Sequence, residues 1–84
     1  SGELIKATIR FQKKLMTEFV DWFGVEGIYF SKQTQDEITA TVSVNRNAVR
    51  KWAIQYGLYF RVIEPEELVQ DIKADIEDIR QNYE

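Results

Sequence analysis

The chain has no histidine and no cysteine among its 84 residues. Without cysteine there is no disulfide framework and no thiolate site for a metal. Without histidine the commonest metal ligand and the commonest general base are missing together. No apolar run approaches the roughly 20 residues of a membrane-spanning helix, and no signal peptide is visible. An initiator methionine is also lacking. The opening Ser1-Gly2 reads as a tag remnant, so the expectation is a fragment of a longer, cytoplasmic protein. Neither a cofactor nor a metal is expected.

What is present suffices for one core. Apolar residues make up 44% of the chain and aromatics 13%, which places it among folded single domains, here residues 3–84. The net charge of −3 conceals an asymmetry. Residues 1–63 carry nine Lys/Arg against six Asp/Glu, whereas residues 64–84 carry two against eight. Neither part is basic enough to predict nucleic-acid binding by itself.

Periodicity supplies the elements. In "LIKATIRF" (residues 4–11), Ala7, Ile9 and Phe11 alternate with Lys6, Thr8 and Arg10, a half-buried strand. "KKLMTEFVDWFG" repeats Leu15, Phe19 and Trp22 at helical spacing and stops at Gly24. Its apolar arc of roughly 160° is wider than one sheet face covers, which suggests a second neighbour or a long connecting loop over the excess. "VEGIYFSK" and "EITATVSV" read as two strands around "QTQDE". The second turns Ile38, Ala40, Val42 and Val44 inward. Asn45 caps a second helix whose buried stripe is Val49, Trp52, Ala53 and Tyr56, with Gly57 at its end. Trp52 is expected to be largely buried against the sheet. "LYFRVI" reads as a short strand. Pro65 is placed at the first helical position of a last helix, with Glu66 and Glu67 in its first turn. Leu68, Val69, Ile72, Ile76, Ile79 and Tyr83 fall within an arc of about 100° on that helix.

The order is β-α-β-β-α-β plus one helix. Right-handed crossovers onto a single sheet then predict an α+β, ferredoxin-like sandwich with an additional C-terminal helix. That helix must find its own surface, beyond the sheet edge or on another protein.

No catalytic constellation emerges. Glu66–Glu67 and Glu77–Asp78 are adjacent on a helix and point to different sides. "VEGIYF" resembles part of the phosphate-cradling segment of acylphosphatases, but Glu26 stands where that family has glutamine and Ser31 where it has arginine. It also follows the first helix instead of the first strand. Thr39, Thr41 and Ser43 on the open face of the third strand argue against base stacking of RNA.

"ATIRF", the arm from Gly27 to Phe30, "SVN…VRKWAIQYG" and "FRVIEPEELVQDI" together carry a resemblance. They are similar to WCX, the C-terminal extension of bacterial WYL-domain, DeoR-like helix-turn-helix transcriptional regulators, from about residue 4 to Tyr83. The resemblance implies a non-catalytic sensor and dimerisation domain. Its partner would be the WYL domain of the same or the other subunit, in a homodimer. A nucleotide or nucleic acid is the implied effector class. DNA would be read only by an N-terminal domain outside this sequence, and no membrane is involved. An acylphosphatase-like enzyme and a stand-alone ACT-type ligand module are the alternatives on the same fold.

Within that frame Arg46, Arg50 and Ile54 are the candidate partner or ligand contacts. Taking Val49 as zero, they lie at about 60°, 100° and 140°, one i, i+4, i+8 row on the shoulder of the buried stripe. Lys51, near 200°, faces solvent. Arginine suits such a row because its planar head pairs with a carboxylate or phosphate while its stem covers apolar surface. The acidic tail is one partner the row could meet, within the chain or across a dimer. An anionic effector is another, and a face that is only solvated is the third reading of the row.

Overall fold

The computed structural model describes residues 3–84. Ser1-Gly2, read above as a tag remnant, lie outside the described residues. Seven regular elements follow one another: β1 (Leu4–Gln12), α1 (Met16–Phe23), β2 (Ile28–Gln33), β3 (Glu37–Asn45), α2 (Arg46–Gln55), β4 (Phe60–Glu64) and α3 (Glu66–Gln81). The strands form one antiparallel sheet in the order β2-β3-β1-β4. The fold is therefore α+β, with a four-stranded antiparallel sheet and three helices.

Register explains the core. β1 and β3 pair along their whole length, from Leu4↔Asn45 to Gln12↔Glu37. The alternation therefore lands on one face. Ile9 lies beside Ala40 and Ala7 beside Val42, so a large side chain meets a small one in each pair. All four are buried, as close packing requires. Phe19 of α1 stacks on Phe11 with ring centroids 4.0 Å apart. Both rings are fully buried, each stabilising the fold by about 1.5–3 kcal/mol through removal from water.

The wide apolar arc of α1 does have a second neighbour, and it is α2. Trp22 stacks on Trp52 at 4.6 Å with an interplanar angle of 7°, and Tyr56 lies 5.0 Å from Trp22. Trp52 is thus only partly buried. The expectation of a largely buried Trp52 against the sheet is corrected: its ring covers α1, while the smaller Val49 and Ala53 occupy the buried positions of α2.

Two glycines are required by geometry. Gly24 closes α1 at φ 71°, ψ 149°, where its N–H donates to the Val20 carbonyl at 2.7 Å. Side-chain-bearing residues are costly in that region. At Gly57 a Cβ would sit 2.7 Å from the Ala53 carbonyl oxygen. Between β3 and α2 no loop is needed, because Asn45 ends the strand and its Oδ1 accepts the Ala48 N–H at 3.0 Å. Such a cap is worth about 1 kcal/mol.

Four boundaries differ from the sequence-based expectation. Leu15 sits in a 3-10 turn (Lys13–Leu15) ahead of α1, and Val25–Gly27 form another before β2. Leu58 and Tyr59 belong to a turn held by the Tyr59 N–H to the Tyr56 carbonyl, so β4 starts at Phe60. Pro65 is the residue before the helix, not its first residue. Its backbone is extended, and its carbonyl accepts the N–H groups of Leu68 and Val69. The last helix itself packs within the domain, beside α2 and β4, with Leu68 fully buried and Ile72 nearly so.

Candidate functional site

The row Arg46, Arg50, Ile54 lies along the seam between α2 and α3. The Arg46 guanidinium donates to Asp71 and, at 3.2 Å, to Glu67. Arg50 grips Asp75 with two bonds, Nε to Oδ2 at 2.9 Å and Nη2 to Oδ1 at 2.7 Å. Two-pronged pairing of this kind is geometrically selective. The spacing accounts for it. Arg46 and Arg50 are four residues apart on α2, Asp71 and Asp75 four apart on α3, and each pair is separated by 25 positions. A constant offset means that the two helices run in the same direction and in step. The next rung is Ile54 with Ile79, both of which line a groove described below.

Charge follows geometry. Hydrogen bonding to Asp71 first, opposed by burial, holds the Arg46 guanidinium above its ordinary value; Asp75 does the same for Arg50. In return the hydrogen bonds from Arg50 outweigh burial and hold the Asp75 carboxyl below the usual carboxylate range. These side chains keep a quarter to a third of their surface exposed, so water screens the pairs and their contribution to stability is modest. They set the alignment of α3 more than the stability of the domain.

Beyond the ion pairs the seam opens into a groove of about 510 Å³. Ile54, Phe60, Val69, Ile72, Ile76 and Ile79 supply its apolar walls. The facing positions on and after α2 are Ala53 and Gly57, too small to fill the space. Arg61 and Lys73 also line it, and no carboxylate does. The α3 stripe therefore divides. Ile76 is 51% exposed and Ile79 38%, whereas Leu68 and Ile72 are in the core. Tyr83 lies past the end of the helix and is 86% exposed.

All three residues singled out from the sequence are thus brought together against α3. The acidic tail, one of the partners considered, is what the two guanidiniums hold. The individual residues Asp71 and Asp75 were not singled out, although their four-residue spacing matches that of the arginines. Nor were Lys73 and Arg61. Lys73 could have been noticed as one of only two cations in residues 64–84, set beside the apolar stripe.

The acylphosphatase-like segment forms no anion cradle. Glu26 is exposed in a 3-10 turn, and the Ser31 hydroxyl at the β2 register shift donates to the Thr39 carbonyl at 3.3 Å. Among the described residues no cluster of His, Cys, Asp and Glu side chains could hold a metal ion. No buried side-chain nitrogen or oxygen among them lacks a hydrogen-bond partner. Among the same residues no helix is long and apolar enough to cross a membrane.

The WCX domain family model matches residues 3–80, nearly the whole chain. No curated protein and no solved structure matches it.

Proposed function

This chain belongs to the WCX domain family, a family of regulatory domains in WYL-containing regulators, and from that premise we propose that it is the C-terminal sensor and dimerisation module of a bacterial helix-turn-helix transcriptional regulator. In this reading it is non-catalytic, works in the cytoplasm, and leaves DNA to a domain elsewhere in the full protein. Its partner is the WYL domain of its own or the other subunit. The ferredoxin-like assignment belongs to the same reading. β1 and β2 run the same way with β3 between them, as do β3 and β4 with β1 between them. That is the arrangement of two interleaved, split β-α-β units.

The observation that carries the reading, beyond family membership, is the half-open stripe of α3 beside Ile54. A helix with an apolar stripe gains most of its stability from tertiary packing. Here the ion pairs with α2 hold the outer half of that stripe in place while Ile54, Ile76 and Ile79 remain accessible. An apolar centre with a charged rim is the composition of a contact surface. Arg46 and Arg50 act in it by fixing α3, and Ile54 by direct contact.

The test is Ile54→Glu with Ile79→Glu in the full-length regulator, with dimer mass read by light scattering and DNA binding by anisotropy. Loss of the dimer or of the regulatory response is expected, while the isolated 84-residue variant keeps its circular dichroism spectrum. Unchanged mass together with unchanged regulation would refute the assignment.

A further inference from the structure

We infer that the groove between the end of α2, β4 and α3 is a ligand site for a small amphiphilic acid, an aliphatic or aryl body carrying one carboxylate. The inference rests on the sensor reading above and supplies the effector class that reading leaves open. Three observations carry it. The groove has the size of a small-molecule site, about 510 Å³, within the range of about 300–1,000 Å³ common to such sites. Its lining residues are apolar apart from Arg61 and Lys73. Its charge is of one sign, although one wall is α3, in the most acidic part of the chain.

The third point is the strongest. Residues 64–84 hold eight carboxylates and two cations, yet none of the carboxylates lines the groove. Of the two cations, Arg80 is bound by Glu77 and Glu84, each at 2.7 Å. Lys73 is the one at the groove. Arg46 and Arg50 are neutralised by α3. Among the described residues neither Lys73 nor Arg61 forms an ion pair. A bound carboxylate beside Lys73 meets that unpaired charge, and an apolar body covers Ile54, Ile76 and Ile79.

The lining also limits the ligand. It offers no hydroxyl, amide or carboxylate side chain. A nucleotide seated there would leave its ribose and base polar groups without side-chain partners, and unpaired polar groups removed from water are costly. A plain chain with one acid group suits the site better.

Methyl NMR spectra of the 84-residue chain, titrated with decanoate, decanol and decyltrimethylammonium, provide the test. Saturable decanoate shifts are expected at the methyls of Ile54, Val69, Ile76 and Ile79, below the micelle concentration. Decanol should bind about ten-fold more weakly, the scale of one lost charge-assisted contact, and the cationic amphiphile more weakly still. Lys73→Gln, at an exposed position, should weaken decanoate without changing the melting temperature. Equal binding of decanol, no saturable shift, or shifts only with micelles would overturn the proposal. So would a dimer of the isolated chain that Ile76→Glu dissociates, because a second copy would then fill the groove. None of these outcomes touches the assembly test above, which uses no amphiphile and reads the full-length dimer and its DNA binding.

Discussion

Leu68 and Ile76 stand eight residues apart on one stripe of one helix, yet the first is fully buried and the second is half exposed. The local pattern around them is the same. What differs is what the rest of the chain brings opposite. Near Leu68 and Ile72 lies the filled core. Facing the groove stand Ala53 and Gly57, whose small size leaves space. Gly57 cannot readily be enlarged, because of the Ala53 carbonyl 2.7 Å from where a Cβ would be. So the inner half of α3 holds the domain together, and the outer half is held by it, presented through Arg46–Asp71 and Arg50–Asp75.

The contrast can be broken most directly by truncating each side chain. Leu68→Ala is expected to cost about 2–5 kcal/mol, the range for emptying a packed core site. Ile76→Ala should stay within about 0.5 kcal/mol in the isolated domain, as surface changes do. Urea denaturation of the two variants measures both. Equal losses would mean that the outer half is as structural as the inner.

The other flank of α2 gives the next effect in size. Trp52→Ala removes a ring that is stacked on Trp22 but only partly buried. Aromatic stacking contributes about 0.5–1.5 kcal/mol beyond area burial, and the total expected is about 1–3 kcal/mol, below the about 3–5 kcal/mol of a fully buried tryptophan. Equilibrium unfolding that returned the larger value would show Trp52 to be a core residue after all.

The smallest effect sharpens the role of the ion pairs. Asp75 is held below the usual carboxylate range. Its contribution is therefore fully present above its unfolded value, about 3.9, and is lost as pH falls through the lowered folded one. Thermal melts should be insensitive to this pair from pH 5 to 9 and should decline below about pH 4. In Asp75→Asn the decline should be shallower, because one of the titrating carboxylates is gone. Identical acid limbs in the two proteins would remove the pair from any role in holding α3.

How much of this was legible beforehand depended on whether one element or two decided it. The alternation of β1 and β3, the Asn45 cap and the i, i+4, i+8 row on α2 are properties of single segments, and each was read correctly in place. Trp52 was not, because its burial depends on where Trp22 of α1 sits. Leu58 and Tyr59 look like strand by composition but are held in a turn by Tyr56. At the site, the row on α2 was visible while its partners Asp71 and Asp75 were lost among eight carboxylates. Only the parallel packing of the two helices selects them. The groove was invisible for the same reason, being a space between elements and lined by residues from three of them.

The most direct test of the division of α3 is amide hydrogen exchange, measured in the isolated 84-residue chain and in the full-length regulator. In the isolated chain, protection should be strong through Ile72 and fall along Ile76–Gln81, where buried apolar contacts are few. In the full-length dimer it should extend through Ile79. Uniform protection of α3 in the isolated chain, or an outer half that exchanges equally fast in both proteins, would contradict the account.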